Sequence, residues 1–203
     1  MPVEIRSEPS ITAEEEMLRA QGYALLARLL AAPPDSRTLE AVRGLSGDGT
    51  MLGRAIGALA AIARETELSR ARDEYAALFI GVTRGELLPY ASFYLTGFLH
   101  ERPLAVLRGD MIRLGIARAP DVPEPEDHIG ALCETMAGLI DGRFGAPVSL
   151  TEQRRFFDTH IGCWAPRFFQ DLERAEPAVF YRAVGSVGRA FMDIETQAFA
   201  LAA

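Results

Sequence analysis

The sequence contains no lysine, and all 21 of its basic residues are arginine. This absence excludes the lysine that forms Schiff bases and the lysine of a phosphate-binding P-loop. Acidic residues outnumber basic ones, and the net charge of -7 argues against a protein that binds the phosphate backbone of nucleic acid. An acidic surface is compatible instead with a partner that carries positive charge.

Cysteine and histidine are scarce, with two and three residues respectively in the 203-residue sequence. Cys133 and Cys163 form no CxxC pair, and two thiols make a poor disulfide framework. His160 and Cys163 could share one face of a helix, but no second pair of ligands has a recognisable spacing and HExxH is absent. GxSxG and a glycine-rich phosphate loop are also absent. We therefore expect no metal site, no cofactor and no catalytic residues.

Long apolar runs are missing as well. The longest, such as 55–63, are about half of the ~20 residues that a membrane-spanning helix needs. The first ten residues include Glu4 and Glu8 and lack the apolar centre of a signal peptide. The sequence thus predicts a cytoplasmic protein with reduced thiols and no stable membrane insertion.

Apolar residues recur at helical spacing along most of the chain, and no strand pattern of comparable strength appears. Thr12 and Glu15 form a capping box that predicts the start of the first helix. A later helix is expected to begin near Thr151 and to carry one apolar face, formed by Phe157, His160, Ile161, Trp164 and Phe168. We expect an all-α, bundle-like single fold of about seven to nine helices.

The clearest internal boundary is the stretch 119–127, which holds three prolines and four acids. It predicts a stiff hinge at about 116–127 within a single domain 1–203, between an N-terminal part (about 10–115) and a C-terminal part (about 128–203). Asp127 is expected to be the N-cap of the next helix. Capping does not explain His128, since a charged histidine is disfavoured in the first turn; this favours a neutral hydrogen-bonding role or one held by a carboxylate.

Four segments follow one another along the chain: Glu74-Tyr75-x-x-Leu78-Phe79-x-Gly81, Pro89-Tyr90-x-Ser92-x-Tyr94, Glu124-Pro125-x-Asp127-His128-Ile129 and the looser Phe157-x-x-His160-x-x-x-Trp164-x-x-x-Phe168. In this order they resemble the Tat-proofreading redox-enzyme chaperones of the TorD/DmsD family. The resemblance implies an all-α, cofactor-free cytoplasmic chaperone for a molybdenum oxidoreductase. Such proteins typically bind the apoenzyme or its twin-arginine leader, assist insertion of the molybdopterin cofactor and delay export.

The resemblance also implies a peptide-binding site, formed by Tyr75, Phe79, Pro89, Ser92, Tyr94, Glu124, Asp127 and His128. His160 and Trp164 are secondary candidates, although their place on an apolar helix face is more typical of a core. Carboxylates near the hinge suit bidentate binding of a guanidinium group, and the aromatic side chains could bury an apolar stretch. Because ordering a flexible leader costs several kcal/mol, we expect micromolar or somewhat tighter affinity.

Two other functions remain open from the sequence. One is an assembly chaperone for a molybdoenzyme subunit that is never exported, as in the nitrate-reductase branch. The other, from a different class, is a small helical enzyme or nucleotide-dependent protein that uses His128, His160 and nearby acids. The chain could act as a monomer or, because of its proline-rich hinge, as a domain-swapped homodimer.

Overall fold

A computed structural model describes residues 13–81, 85–118 and 124–201. These ranges contain ten α-helices, a π-helical turn and, in place of any strand, one isolated antiparallel bridge between Tyr90 and His128. The helices are α1 (Ala13–Leu30), α2 (Ser36–Arg43), α3 (Met51–Glu65), α4 (Leu68–Tyr75), α5 (Ala91–Thr96), α6 (Arg102–Arg113), α7 (Ile129–Asp141), α8 (Leu150–His160), α9 (Ala165–Arg174) and α10 (Phe180–Leu201). The all-α prediction is confirmed. Thr12 of the predicted capping box lies outside the described residues.

The core is shared by helices from before and after the proline-rich stretch. α1 packs most extensively against α7, and α10 packs against α9 and α3. α7 is buried on almost all sides, because its sequence is apolar around most of the helix. The predicted division into two parts at a hinge stays a prediction.

A buried ion pair joins α1 to α10. Arg19 donates from Nε and Nη2 to the two carboxylate oxygens of Glu195, at 2.7 and 2.9 Å. The hydroxyl of Tyr23 also donates to Glu195, and Gln153 of α8 accepts from Arg19 at 2.8 Å. Both charges are buried, and Arg19 also pairs with Glu16 at 2.9 Å. Removing Arg19 would leave Glu195 as an uncompensated buried charge.

The single helix predicted from Thr151 is wrong, because the chain forms α8 and α9 with a break at 161–164. Ile161 leaves helical geometry, with φ at -120°. Pro166 lies in the first turn of α9, where backbone N–H groups make no intrahelical hydrogen bond and a proline is therefore tolerated. Inside a continuous helix the same proline would remove a hydrogen bond and clash with the preceding turn. Across the break, the Trp164 indole N–H donates to the carbonyl of His160 at 2.8 Å.

No helix within the described ranges is both long enough and apolar enough to cross a membrane. The same part of the chain contains no group of three or more histidine, cysteine, aspartate or glutamate side chains placed to hold a metal ion.

Candidate functional site

The N-cap of α7 is His128, so the prediction that Asp127 caps this helix is wrong. The Nδ1 atom of His128 accepts a hydrogen bond from the backbone N–H of Gly130 at 3.1 Å. A ring nitrogen that accepts carries no proton, so the imidazole is neutral. Burial lowers the pKa of His128 from 6.5 to about 4, although the charges of Glu124 and Asp127 act in the opposite direction. The neutral hydrogen-bonding role of His128 is therefore the cap itself.

Asp127 connects the start of α7 to the start of α5. Its carboxylate accepts from the backbone N–H of Ser92 at 2.8 Å, and its carbonyl accepts from the N–H of Ala91 at 3.0 Å. In return, the carbonyl of Pro89 accepts from the N–H of Ile129 at 2.9 Å. Asp127 is only 1% exposed. Residues 89–92 and 124–130, here called the joint, are thus held together by buried hydrogen bonds between segments 35 positions apart.

The two glutamates of the joint lie nearer the surface, and each has a partner within the chain. Glu124 is exposed and accepts a hydrogen bond from the hydroxyl of Tyr90, whose ring contacts that of His128 edge to face. Glu126 accepts from Arg108 of α6, with a closest N–O distance of 2.8 Å. Burial alone would raise the pKa of Glu126, but its hydrogen bonds, first the one from Arg108, and the charges of Arg108 and Arg118 together outweigh burial and lower this pKa. An arginine from a partner would have to compete with Arg108 for Glu126.

Six aromatic rings connect α5 to neighbouring elements and form the centre of a larger group of rings; these six are here called the aromatic cluster. Its members are Tyr75, Phe79, Tyr94, Trp164, Phe168 and Tyr181, with neighbouring ring centroids 4.9 to 6.5 Å apart. Tyr75 is buried, and its hydroxyl donates to the carbonyl of Leu30 at 3.1 Å. Burial, with a smaller effect of Glu124, raises the pKa of Tyr75 to about 12. Phe79 and Tyr94 are half-buried, so they are the rings of the cluster that a ligand can reach.

Phe79 lies on the π-helical turn Ala76–Ile80, which ends at Gly81. Gly81 has φ 63° and ψ 179°, a conformation that is essentially restricted to glycine. The backbone of Gly85 packs directly against the π-helical turn, because a Cβ added at Gly85 would lie 2.5 Å from the carbonyl carbon of Phe79. π-Helical turns occur frequently at functional sites. Here the turn leaves Phe79 half-buried and Ile80 57% exposed.

An open groove of about 430 Å³ lies between α5, the segment 86–88 and α9. Its walls are largely apolar, and its polar side chains are those of Glu86, Tyr94, Arg167 and Asp171. The hydroxyl of Tyr94 donates to Oδ2 of Asp171 at 3.1 Å. Burial, followed by the charge of Asp171, raises the pKa of Tyr94 well above its ordinary value, so this hydroxyl remains a donor at neutral pH.

The groove continues onto exposed apolar side chains that the sequence reasoning did not select. Leu95, Phe98 and Leu99 are 44%, 70% and 39% exposed, and together they are here called the apolar rim. Val106 and Ile112 of α6 are exposed as well. Because exposed apolar side chains concentrated in one region mark binding surfaces, this helical hairpin is the best candidate contact surface near the joint. No periodic signal distinguishes these residues from core residues in the sequence.

Glu74 belongs to the first family-like motif, but sequence reasoning gave it no role. Its carboxylate accepts hydrogen bonds from the backbone N–H groups of Val179, Phe180 and Tyr181, at 2.6 to 3.1 Å. It therefore caps α10 from more than 100 residues away, at the positive end of the helix dipole. A cap supplied from so far along the chain leaves no local sequence signal.

The residues predicted for the site separate into groups. Pro89, Ser92, Glu124, Asp127 and His128 meet in the joint, whereas Tyr75, Phe79, Tyr94 and Trp164 meet in the aromatic cluster. Within the described ranges, the buried hydroxyl of Ser92 has no hydrogen-bond partner. His160 joins neither group, because its Nε2 lies 2.9 Å from Oδ2 of Asp110 on α6.

The model of a family described as nitrate reductase delta subunit matches residues 47–170. The chaperone protein TorD of Vibrio atlanticus is 27% identical over 132 residues, 61% of each protein. TorD of Shewanella loihica is 24% identical over 216 residues, 95% of this chain and 98% of that protein. A protein of Haemophilus influenzae named "Probable Tat proofreading chaperone DmsD" is 32% identical over 114 residues, 55% of this chain and 53% of that protein.

The alignments of this chain with TorD of Vibrio atlanticus and with two further TorD proteins cover about six-tenths of the length of those proteins. A crystal structure described as a redox enzyme maturation protein from Archaeoglobus fulgidus superposes with a TM-score of 0.56. That comparison covers 94% of this chain and 99% of the other, at 18% sequence identity. At this identity the likeness shows a shared fold and nothing further.

Proposed function

The chain belongs to the nitrate reductase delta subunit family, and from this premise we propose that it is a chaperone for the maturation of a molybdenum oxidoreductase. It acts in the cytoplasm and is not an enzyme. It binds the apo-form of the client subunit, the twin-arginine leader of that subunit, or both. It assists cofactor insertion and delays export of the client. The names of the TorD and DmsD relatives support this role.

The structural observation that carries the proposal is the apolar rim beside a groove with half-buried aromatic walls. A leader with an apolar stretch would cover these side chains, and each Å² of apolar surface removed from water contributes about 25 cal/mol. Ordering a flexible leader offsets several kcal/mol of that gain. A net affinity in the micromolar range is therefore expected, which suits a complex that must later release its client.

The joint supports this surface more than it contributes contacts. Asp127 and His128 are buried, so they act by fixing where α5 begins relative to α7. Glu124 is exposed and remains a candidate contact for a guanidinium group. Of the aromatic residues predicted for the site, Phe79 and Tyr94 are the ones placed to touch a leader, while Tyr75 supports them from within the core.

Calorimetric titration with synthetic twin-arginine leaders of molybdenum oxidoreductases from the same organism tests the proposal. At least one leader should bind with micromolar or tighter affinity, and replacing both of its arginines with glutamine should weaken binding. A matched pull-down uses each apo-subunit with and without its leader. Failure of every leader and every apo-subunit to bind the folded chaperone would contradict the proposal.

The description of the matching family favours a second candidate, a chaperone for a nitrate-reductase-type subunit that is not exported. In that case the client contact is with the mature apo-subunit. Deleting any leader would then leave capture of the apo-subunit unchanged, and isolated leader peptides would not compete with it. The same pull-down therefore separates the two candidates.

A further inference from the structure

We propose that Asp171, positioned by Tyr94, binds the guanidinium group of an arginine in the client's leader, while the apolar groove takes the side chain that follows it. This inference rests on the proposed function, and it assigns one arginine contact to the groove, in addition to the candidate contact at Glu124 of the joint. The other two acids of the joint are committed to the fold, because Asp127 is buried and Glu126 is bound to Arg108.

Asp171 has the geometry that guanidinium binding requires. Tyr94 donates to one carboxylate oxygen at 3.1 Å, and the structure shows no other hydrogen bond or ion pair to Asp171 from the described residues. An ionised carboxylate has about four lone-pair positions, so this contact leaves room for two parallel N–H donors. Because the Tyr94 ring packs against Trp164 and Phe168, the hydroxyl that holds the carboxylate has a fixed position.

Arg167 lies one helical turn before Asp171 but is not within ion-pair distance of it. An arginine four residues N-terminal to an acid is the weaker of the two orders for a helical ion pair, and Tyr94 holds the carboxylate in a different contact. The groove therefore presents two carboxylates, Asp171 and Glu86, together with one guanidinium. Glu86 also accepts from the backbone N–H of Glu176 at 3.1 Å, so it is partly committed to the fold.

The apolar walls explain why an apolar residue should follow the arginine. Four side chains line the groove next to its acids, namely Leu87, Leu88, Phe93 and Leu95. Leu95 also belongs to the apolar rim, and the exposed Phe98 of the rim directly follows Gly97, which lines the groove. A leader in which an arginine is followed by apolar residues is complementary to this surface. The arginine would bind Asp171, and the apolar residues would lie along the groove and the apolar rim.

The test uses charge variants with opposite expected signs, titrated with the best-binding leader. Asp171→Asn should weaken binding on the order of tenfold, because it removes a charge-assisted hydrogen-bond pair. Arg167→Gln should strengthen binding a few-fold, because it removes a like charge from the groove. The matched control is Asp158→Asn, an exposed acid on α8 that is not part of the groove lining; it should change affinity by less than about twofold.

Tyr94→Phe keeps the ring and tests positioning. It should weaken leader binding several-fold in the wild-type background and have no further effect in the Asp171→Asn background. A purely structural role would weaken binding equally in both backgrounds. Equal losses from Asp171→Asn and Asp158→Asn, or weaker binding by Arg167→Gln, would also overturn the inference.

A short probe separates this inference from the proposed function. N-acetyl-Arg-Phe-Leu-amide should shift the amide NMR signals of residues 86–97 in the wild type and leave them unchanged in Asp171→Asn. If no shift occurs in the wild type, the groove does not bind arginine, whether or not a complete leader binds elsewhere. If the probe binds in the groove while every leader and apo-subunit fails to bind, the groove assignment holds and the proposed function fails.

Discussion

The joint and the groove use side chains from the same sequence motifs in opposite ways. In the joint, Asp127 and His128 are almost completely buried and bond to backbone N–H groups of the chain itself. In the groove, Tyr94 is half-buried, and at its edge Phe98 is 70% exposed. One family-like motif thus combines a residue that positions a surface, Ser92, with a residue that forms it, Tyr94. Mutations in the two regions should therefore separate folding stability from client binding.

The largest effect on stability is expected from Asp127→Ala in the joint. This change removes a buried carboxylate and leaves the N–H of Ser92 without its partner. The free energy of unfolding should fall by about 3 kcal/mol, since a lost charge-assisted hydrogen bond and an unsatisfied buried donor both contribute. Urea unfolding measures this loss.

The matched control is Glu124→Ala, the exposed acid of the same segment, which should cost less than about 1 kcal/mol. If Asp127→Ala unfolds at the same urea concentration as the wild type yet no longer binds a leader, Asp127 is a contact residue. The division between joint and groove would then be wrong.

A somewhat smaller effect, visible only in acid, is expected from His128→Asn. The pKa of His128 is about 4 in the folded chain, below its ordinary 6.5, so the unfolded chain binds the extra proton first. Stability from the neutral imidazole is complete above about pH 6.5 and is lost as the pH falls toward 4. Asparagine can still accept from the N–H of Gly130 but does not titrate.

Urea unfolding at pH 7 and pH 4.5 should show that the wild type loses about 2–3 kcal/mol more than His128→Asn over this interval. Other groups that titrate in this range, including His160, are present in both proteins and cancel in the difference. Parallel stability curves for the two proteins would show that His128 is not held neutral by the fold.

The smallest effect on stability is expected at the apolar rim, from Phe98→Ser combined with Leu99→Ser. Both side chains are exposed in the free protein, so unfolding should change by no more than about 0.5 kcal/mol. Client binding should nevertheless weaken at least about tenfold, since the lost apolar area no longer contributes to the complex. Ile194→Ser on α10 is a comparably exposed control that should bind the client normally.

Calorimetry with the same client and parallel urea unfolding measure the two quantities for the rim variant. Unchanged affinity would remove the rim from the contact surface. A large loss of stability would show that the rim belongs to the folded core, and the contrast between the two regions would no longer hold.

The sequence allowed the fold class and most helices to be predicted, because a 3.6-residue apolar period is a local signal. The predicted helix near Asp127 exists, and its apolar stripe is buried in α7. The prediction of one continuous helix from Thr151 is wrong because the apolar period persists through the break, and Pro166 is the residue whose sequence signal opposes a continuous helix.

The site was less predictable, because its hydrogen bonds join distant parts of the chain. Asp127 looked like a cap when only its neighbours were considered, yet its carboxylate bonds to Ser92, 35 residues earlier. Two roles were open for His128, a neutral hydrogen-bonding group or one held by a carboxylate, and the structure has the first; its capping role depends on burial that the local sequence does not reveal. Exposure of Phe98 likewise depends on how the α5–α6 hairpin packs, which no pattern in residues 95–100 encodes.

The buried pair between Arg19 and Glu195 also bears on when the protein can become active in the cell. These residues are 176 positions apart, so a ribosome makes all of the intervening residues before the guanidinium of α1 meets its carboxylate on α10. Until then the carboxylate next to Arg19 is that of Glu16 on the same helix, which is less buried than Glu195. Contacts this distant in sequence also slow folding. The chain should therefore complete its core only after Glu195 has left the ribosome, and a nascent fragment should be unable to engage a client.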